Sequence, residues 1–299
     1  MATYNFKKEV KVYVVIGTDK YELTVGPDIS FSQTFTDKTY PQKTLHAQHK
    51  VHEASNITKA NPANFQVTLP VLKEPDLDPV YRLLTDYKTG EYTLNTFDLY
   101  IESTTDTYKL EKCVITNGTF IIEKLENLKL TLSGEASKLS IFAGSIPGVA
   151  VFVSVPRTRQ TIDYLSVSID SVLQSEALYK VSVELQNDIK WTAYETVNDA
   201  LNVTTSATSM YPSSFTLEKR ILSGSIGQYI TSVSKTNVQT WKTGIPIVIK
   251  AGTSLTQGVQ FDLVNCSFTN RATVEDVFTQ SYDWKMNDNP TDLSSKITF

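Results

Sequence analysis

The chain has 299 residues, of which 40% are hydrophobic, 20% charged and 10% aromatic, with a formal net charge of −4. That share of apolar and aromatic side chains excludes a disordered chain. The lack of a cationic excess or a long Lys/Arg run argues against a protein that grips nucleic acid through its phosphates. The length fits about two domains of roughly 100–200 residues each.

The opening residues, Met1 to Glu9, lack the apolar core of a secretion signal. No apolar stretch reaches the ~20 residues needed to span a bilayer, and the longest, Ile146 to Val155, is broken by Pro147. Synthesis in a reducing cytosol, with no membrane partner, is expected. The first predicted strands are Val12–Ile16, Tyr21–Val25 and Ile29–Phe35, rich in β-branched and aromatic residues with period-two alternation.

Thr36 to Ala63 is then a long connection poor in apolar residues. Connections beyond ~12–15 residues in a compact domain generally serve a function or are disordered. This one is read as an arm toward a neighbouring subunit, with Tyr40, His46, His49, His52 and Asn56 as its interface residues. The three histidines of the chain all fall in it, at a spacing that on a helix would also suit a divalent ion. A polar interface is the reading adopted, without metal or cofactor, because the second half of the chain has no equivalent residues.

Beyond a strand at Phe65–Leu69, the spacing of Val80, Leu83, Leu84 and Tyr87 predicts a helix. Asp78 suits its N-cap, Pro79 its first position and Gly90 its end. Strands follow at Phe97–Glu102, Leu110–Ile115 and Leu128–Leu132. In the first of these Phe97, Leu99 and Ile101 form the apolar face, so Asp98, Tyr100 and Glu102 point the other way. Pro147, Gly148 and Pro156 then mark an expected boundary, dividing the chain into domains 1–150 and 151–299.

The second half repeats the first. Cys113-Val114-Ile115-Thr116-Asn117 returns as Cys266-Ser267-Phe268-Thr269-Asn270, an offset of 153 residues (266 − 113). Val12–Ile16 matches Leu165–Ile169, Asp28-Ile29 matches Asp188-Ile189, and Phe97–Glu102 matches Ile245–Lys250. Leu128, Leu130 and Leu132 match Tyr282, Trp284 and Met286. Ile226, Tyr229, Ile230 and Val233 repeat the helical spacing, and Glu195 to Ser214 repeats the long connection. Further strands are predicted at Tyr179–Leu185 and Phe261–Ser267. The expected fold is therefore mainly β: two tandem β-sandwich or half-barrel domains, each with one flanking α-helix and a long loop.

This order of elements, with Ser214-Phe215-Thr216-Leu217 before Gly224-Ser225-Ile226-Gly227 and Phe261–Phe268 leading to Tyr282-Asp283-Trp284-Lys285, resembles the bacteriophage tail-tube fold. The resemblance covers nearly the whole chain, once per half. It implies a virion structural protein, made in the host cytoplasm, that assembles with itself and with other phage tail proteins. Six such domains form the family's ring, so two per chain imply a trimeric, pseudo-hexameric ring stacked into a tube. A ring of six chains, with one domain outside, is the other arrangement. Genomic DNA would pass through the lumen on its way to the host without specific binding, and Asp98, Tyr100 and Glu102 are the candidate lumen residues. The same alternation also fits an ordinary outer sheet face. A tandem β-sandwich binding or adhesion module of a virion or cell surface is the alternative function.

The motifs of common catalytic sites are absent. There is no HExxH, GxSxG or P-loop, and Ser223-Gly224-Ser225-Ile226-Gly227 lacks the lysine of a phosphate cradle. Cys113 and Cys266 fall in predicted strands without a nearby histidine and are read as buried, unbridged thiols. Trp191, Trp241 and Trp284 are read as core. No enzyme activity is expected.

Overall fold

A computed structural model describes residues 9–24, 28–43, 51–71, 77–123, 126–151, 161–174, 176–192, 210–232, 234, 240–254, 257–274, 276–287, 293 and 295–299. The first half runs β1 (Lys11–Ile16), β2 (Asp19–Leu23), β3 (Ile29–Ser32), β4 (Phe35–Lys43), β5 (Val51–Ala60), β6 (Ala63–Pro70), α1 (Asp78–Thr85), β7 (Phe97–Glu102), β8 (Thr107–Glu123), β9 (Lys129–Ala136), β10 (Lys138–Phe142) and β11 (Val149–Ala150). The second runs β12 (Tyr164–Ile169), β13 (Val172–Leu173), β14 (Leu178–Trp191), β15 (Phe215–Tyr229), β16 (Trp241–Ser254), β17 (Gln257–Val274), β18 (Phe278–Met286) and β19 (Ile297–Thr298). The fold is mainly β, as expected from the alternation.

Two long strands, β8 and β17, organise everything else. Each is bent by a bulge at a residue with positive φ: Lys112 in β8 and Asn265 in β17, both at 52°. Each of these residues immediately precedes a cysteine that is fully buried and unbridged. An extra residue in one strand interrupts the ladder and re-aims the residues beyond it, so one strand can serve two sheets. The first part of β8 lies between β7 and β10, and its second part lies between β9 and β14. β16 pairs with β17 before its bulge and beyond it as far as Thr269, β19 pairs with the first part, and β18 pairs with the second part from Cys266 to Val274.

The strands fall into two sets of neighbours. One runs β10–β8–β7–β1–β2–β11, antiparallel except for the parallel β11–β2 contact. The other runs β3–β6–β9–β8–β14–β15–β18–β17, antiparallel throughout. From β17 the ladder continues through β16 to β12, which carries β13. The pairing order β3–β6–β9–β8–β7–β1–β2 in the first half has the same form as β14–β15–β18–β17–β16–β12–β13 in the second. Ladder register sets Leu132 beside Val67 and Tyr282 beside Ile226. On that register Leu132, Gly134 and Ala136 are the counterparts of Tyr282, Trp284 and Met286, four residues along from the match read in sequence.

Alternation explains the core. In β6, Ala63, Phe65, Val67 and Leu69 are buried, while the residues between them are more exposed. In β9 it is Leu130, Leu132, Gly134 and Ala136. Phe65 meets Phe97 edge-on at 6.0 Å across the two layers. Phe120 meets Phe261 at 5.1 Å, and Tyr81 of α1 stacks on Phe299 at 4.7 Å, so apolar packing passes between the halves. Each such side chain, taken from water, contributes about 1.5–3 kcal/mol. Trp284 belongs to this core and Trp191 is half-buried. Trp241 departs from expectation: it begins β16 and is 68% exposed.

Helix α1 forms where expected, with two differences. Its N-cap is Leu77 without a side-chain cap hydrogen bond, and Asp78 sits in the first turn, where it is bound by Arg82 one turn on. The helix stops at Thr85, because Asp86 is extended. Gly90 serves instead in the turn after it, with φ +76°. Leu84, fully buried, lies directly over Gly118 of β8, and a Cβ there would overlap its methyl groups.

The second expected helix is not formed by the residues that suggested it. Ile226 and Tyr229 belong to strand β15. Leu222, Gly224, Ile226 and Gln228 alternate toward the core there, between β14 and β18. Glycine costs helix stability at 224 and 227, and ladders on both sides satisfy the backbone, so strand wins. Val233 lies outside the described residues. α1 is thus the one α-helix among the described residues.

Candidate assembly surfaces

The first long connection is a β-hairpin. Among the described residues β4 and β5 form ladder pairs only with each other, with Thr39 opposite Ser55, Tyr40 opposite Ala54, Gln42 opposite His52 and Lys38 opposite Asn56. His46 and His49 lie outside the described residues, and the side chains of Tyr40, His52 and Asn56 do too. Among the described residues no cluster of His, Cys, Asp or Glu could hold a metal ion. The foot of the hairpin is fixed. The Gln33 side-chain amide donates to Asn61 O at 2.8 Å, and its oxygen accepts from the Leu139 N–H at 2.9 Å. The Asn61 N–H donates to Thr34 O at 2.9 Å.

The second long connection, Glu195 to Ser214, lies between β14 and β15, just as the hairpin lies between β3 and β6. Its residues up to 209 lie outside the described ones. The stretch that is described runs along the first half of the chain. The Ala60 N–H donates to Met210 O at 2.8 Å, and the Ser137 hydroxyl donates to Pro212 O at 2.5 Å. Lys138 stands over the Tyr211 ring at 5.1 Å, and Lys112 reaches Ser213 O at 3.3 Å.

The alternate residues of β7 are all engaged within their own sheet. Asp98 accepts from the Lys112 N–H at 3.0 Å and pairs with Lys109 at 3.1 Å. Burial alone would lower the Lys109 pKa, but Asp98 and Glu111 together hold it above its ordinary value. Tyr100 is 1% exposed and meets Phe142 edge-on at 5.2 Å, and burial raises its hydroxyl pKa. Glu102 lies beside Tyr13, whose pKa is pushed up to about 12 by burial and then by Glu22 and Glu102. Tyr100 therefore presents no surface to water in this chain.

A different surface is broad, polar and evenly charged. The eight strands from β3 to β17 bury one face, and the other carries hydroxyls and paired charges. Thr68 meets Thr131 at 3.3 Å, and Ser182 meets Ser225 at 2.8 Å. Asn117 donates to Glu184 at 2.7 Å, and the Trp191 indole to Glu135 at 2.7 Å. Lys180 pairs with Glu123 at 2.7 Å, and Arg271 with Asp283 at 3.0 Å. Sequence reading did not select these residues. Their signal was the Ser and Thr content of the outward positions in strands whose inward positions were already assigned to the core.

The two halves join within this surface. Lys180 to Gln186 of β14 pairs with Glu123 to Asn117 of β8. The apolar side of that joint is closed: Val181, Val183, Phe120 and Ile122 are at most 1% exposed. Its polar side is crossed by the Lys180–Glu123 and Asn117–Glu184 contacts.

A family model described as the bacteriophage baseplate tube protein family matches residues 2–299. No curated protein matches the chain.

Proposed function

The chain belongs to the bacteriophage baseplate tube protein family and is a structural component of the phage tail; from that premise we propose that it assembles with itself into a ring, one layer of the conduit through the baseplate. In this reading residues 1–150 and 151–299 are copies of one tube-type unit. Three chains supply six units to a pseudo-hexameric ring, which stacks on other tail proteins of the virion, and genomic DNA passes through it to the host.

The observation that carries the proposal is the β8–β14 joint. It continues the sheet of one half into the sheet of the other, head to tail, and a head-to-tail contact that repeats by rotation closes a ring. The shared pairing order and the matching bulges at Lys112 and Asn265 support descent of both halves from one unit. The contacts of 210–214 with Ala60, Ser137 and Lys138 support the arm idea. In the same manner, β4–β5 would reach the neighbouring chain.

The lumen wall is assigned to the polar face of the eight-strand sheet instead of to Asp98, Tyr100 and Glu102. Lys180 and Arg271 on it stand beside Glu123 and Asp283, and so would not exchange those carboxylates for DNA phosphates and retain the passing strand. The work is conduction and assembly, without catalysis.

Negative-stain microscopy of the purified protein at rising concentration tests the reading. Rings or short tubes with an open centre are expected. Particles of single-chain size at every concentration would contradict it.

A further inference from the structure

Among the described residues the inner sheet ends in two open edges, and the chain contains a template for joining them. Resting on the ring reading above, we propose that β3 of one chain pairs antiparallel with the last four residues of β17 of the next. The register sets Ile29 opposite Val274, Ser30 opposite Thr273, Phe31 opposite Ala272 and Ser32 opposite Arg271.

The register comes from the internal joint. On the ladder, Ile29 and Phe31 stand opposite Val67 and Phe65, as Val181 and Val183 stand opposite Ile226 and Gly224. Val67 and Ile226 in turn lie against Leu132 and Tyr282. β3 therefore occupies in the first half the place that β14 occupies in the second. On the other side, the core-facing positions of β8 after its bulge are Cys113, Ile115, Gly118, Phe120 and Ile122. The same side of β17 after its bulge carries Cys266, Phe268, Asn270, Ala272 and Val274, the last two exposed in the single chain. Inside the chain Val181 faces Ile122 and Val183 faces Phe120. Replacing each residue by its counterpart gives the proposed pairs.

Three features fit this seam. Among the described residues, β3 is paired on one side only, by β6, and Arg271 to Val274 is paired on one side only, by β18. An open edge with apolar side chains is a strand-pairing surface that soluble proteins normally cover. The side chains at these edges are uncovered where their counterparts are not: Val274 is 64% exposed and Phe278 55%, whereas Ile122 is fully buried. Bulk is also complementary. The internal joint sets the large Phe120 against the smaller Val183, and the seam sets the large Phe31 against the small Ala272, so each pair joins one aromatic ring to one small side chain with the roles reversed.

The test is a cysteine pair, Ser30→Cys with Thr273→Cys, both at exposed positions on the polar face, in the full-length protein. The native thiols are buried, and burial holds the Cys113 thiol pKa well above its ordinary value, so background oxidation is low. Mild oxidation should give a covalent ladder ending at the trimer. The control pair, Ser133→Cys with Thr273→Cys, placed two strands further in, should remain monomeric on a non-reducing gel. Val274→Asp changes a side chain that touches little in the single chain, so it should keep the parent's melting temperature and lose assembly. Rings by microscopy without cross-linking of the first pair, or normal assembly of Val274→Asp, would overturn the seam and leave the ring reading standing. Failure of the unmodified protein to assemble would overturn both.

Discussion

Arg220 shows how much one residue can connect. Its Nε donates to Asn187 Oδ1 at 2.7 Å and its Nη1 to Thr85 O at 2.7 Å, and its guanidinium lies 4.4 Å from the Tyr87 ring centre. Asn187 in turn donates to Ile115 O at 3.0 Å. The end of α1, the first half of the chain and two strands of the second are thereby tied in one network. Burial lowers the Arg220 pKa, while burial and the Tyr92 hydroxyl push that of Tyr87 up to about 12. Arg220→Met should cost about 3 kcal/mol, because it takes the Arg220 partner from the Thr85 carbonyl and from Asn187 Oδ1. Arg220→Lys should not restore it, since an ammonium cannot make two diverging contacts in a plane. Urea unfolding midpoints of the three proteins check both statements.

At the scale of elements, the hairpin and the helix illustrate opposite roles. α1 is held by burial: Val80, Tyr81, Leu83 and Leu84 are all covered, and Leu84 needs the space that Gly118 leaves. Among the described residues the anchoring of β4–β5 is at its foot, where Gln33 binds Asn61 and Leu139. Replacing residues 40–54 with Asn-Gly keeps the Thr39–Ser55 pair and provides a two-residue turn. The shortened protein should melt within a few degrees of the parent, because a surface hairpin adds little to the core. It should nevertheless fail to form rings or stacks at concentrations where the parent does, by sedimentation velocity. Parent-like assembly would remove the arm from the account.

For the whole molecule, the balance of charge on the polar face sets how a passing polyanion is treated. Lys180 and Arg271 there are paired with Glu123 and Asp283, so those cations are not free to displace the counterions of DNA. Thr119→Lys, Ser182→Lys and Ser225→Lys together would add three unpaired cations to that face in every chain. The triple variant should retard short duplex DNA in a gel at low salt and release it as salt rises, whereas the parent should not retard it under either condition. Retention by the parent would argue against the polar face as the wall.

The sequence by itself determined the alternation that makes the fold mainly β, the burial of Cys113 and Cys266 and the position of α1. These depend on local periodicity and on residue type, which neighbours in the chain record. Only the tertiary structure decided that Ile226 and Tyr229 are strand, because β14 and β18 on either side outweigh a helical spacing. Nor could the chain order reveal that Tyr100 is sealed beneath Phe142, or that β8 turns at Lys112 to pair with β14. Each of these depends on which strand becomes a neighbour from more than forty residues away, a choice made by packing and hydrogen bonding across the sheet and not by the residues beside it in sequence.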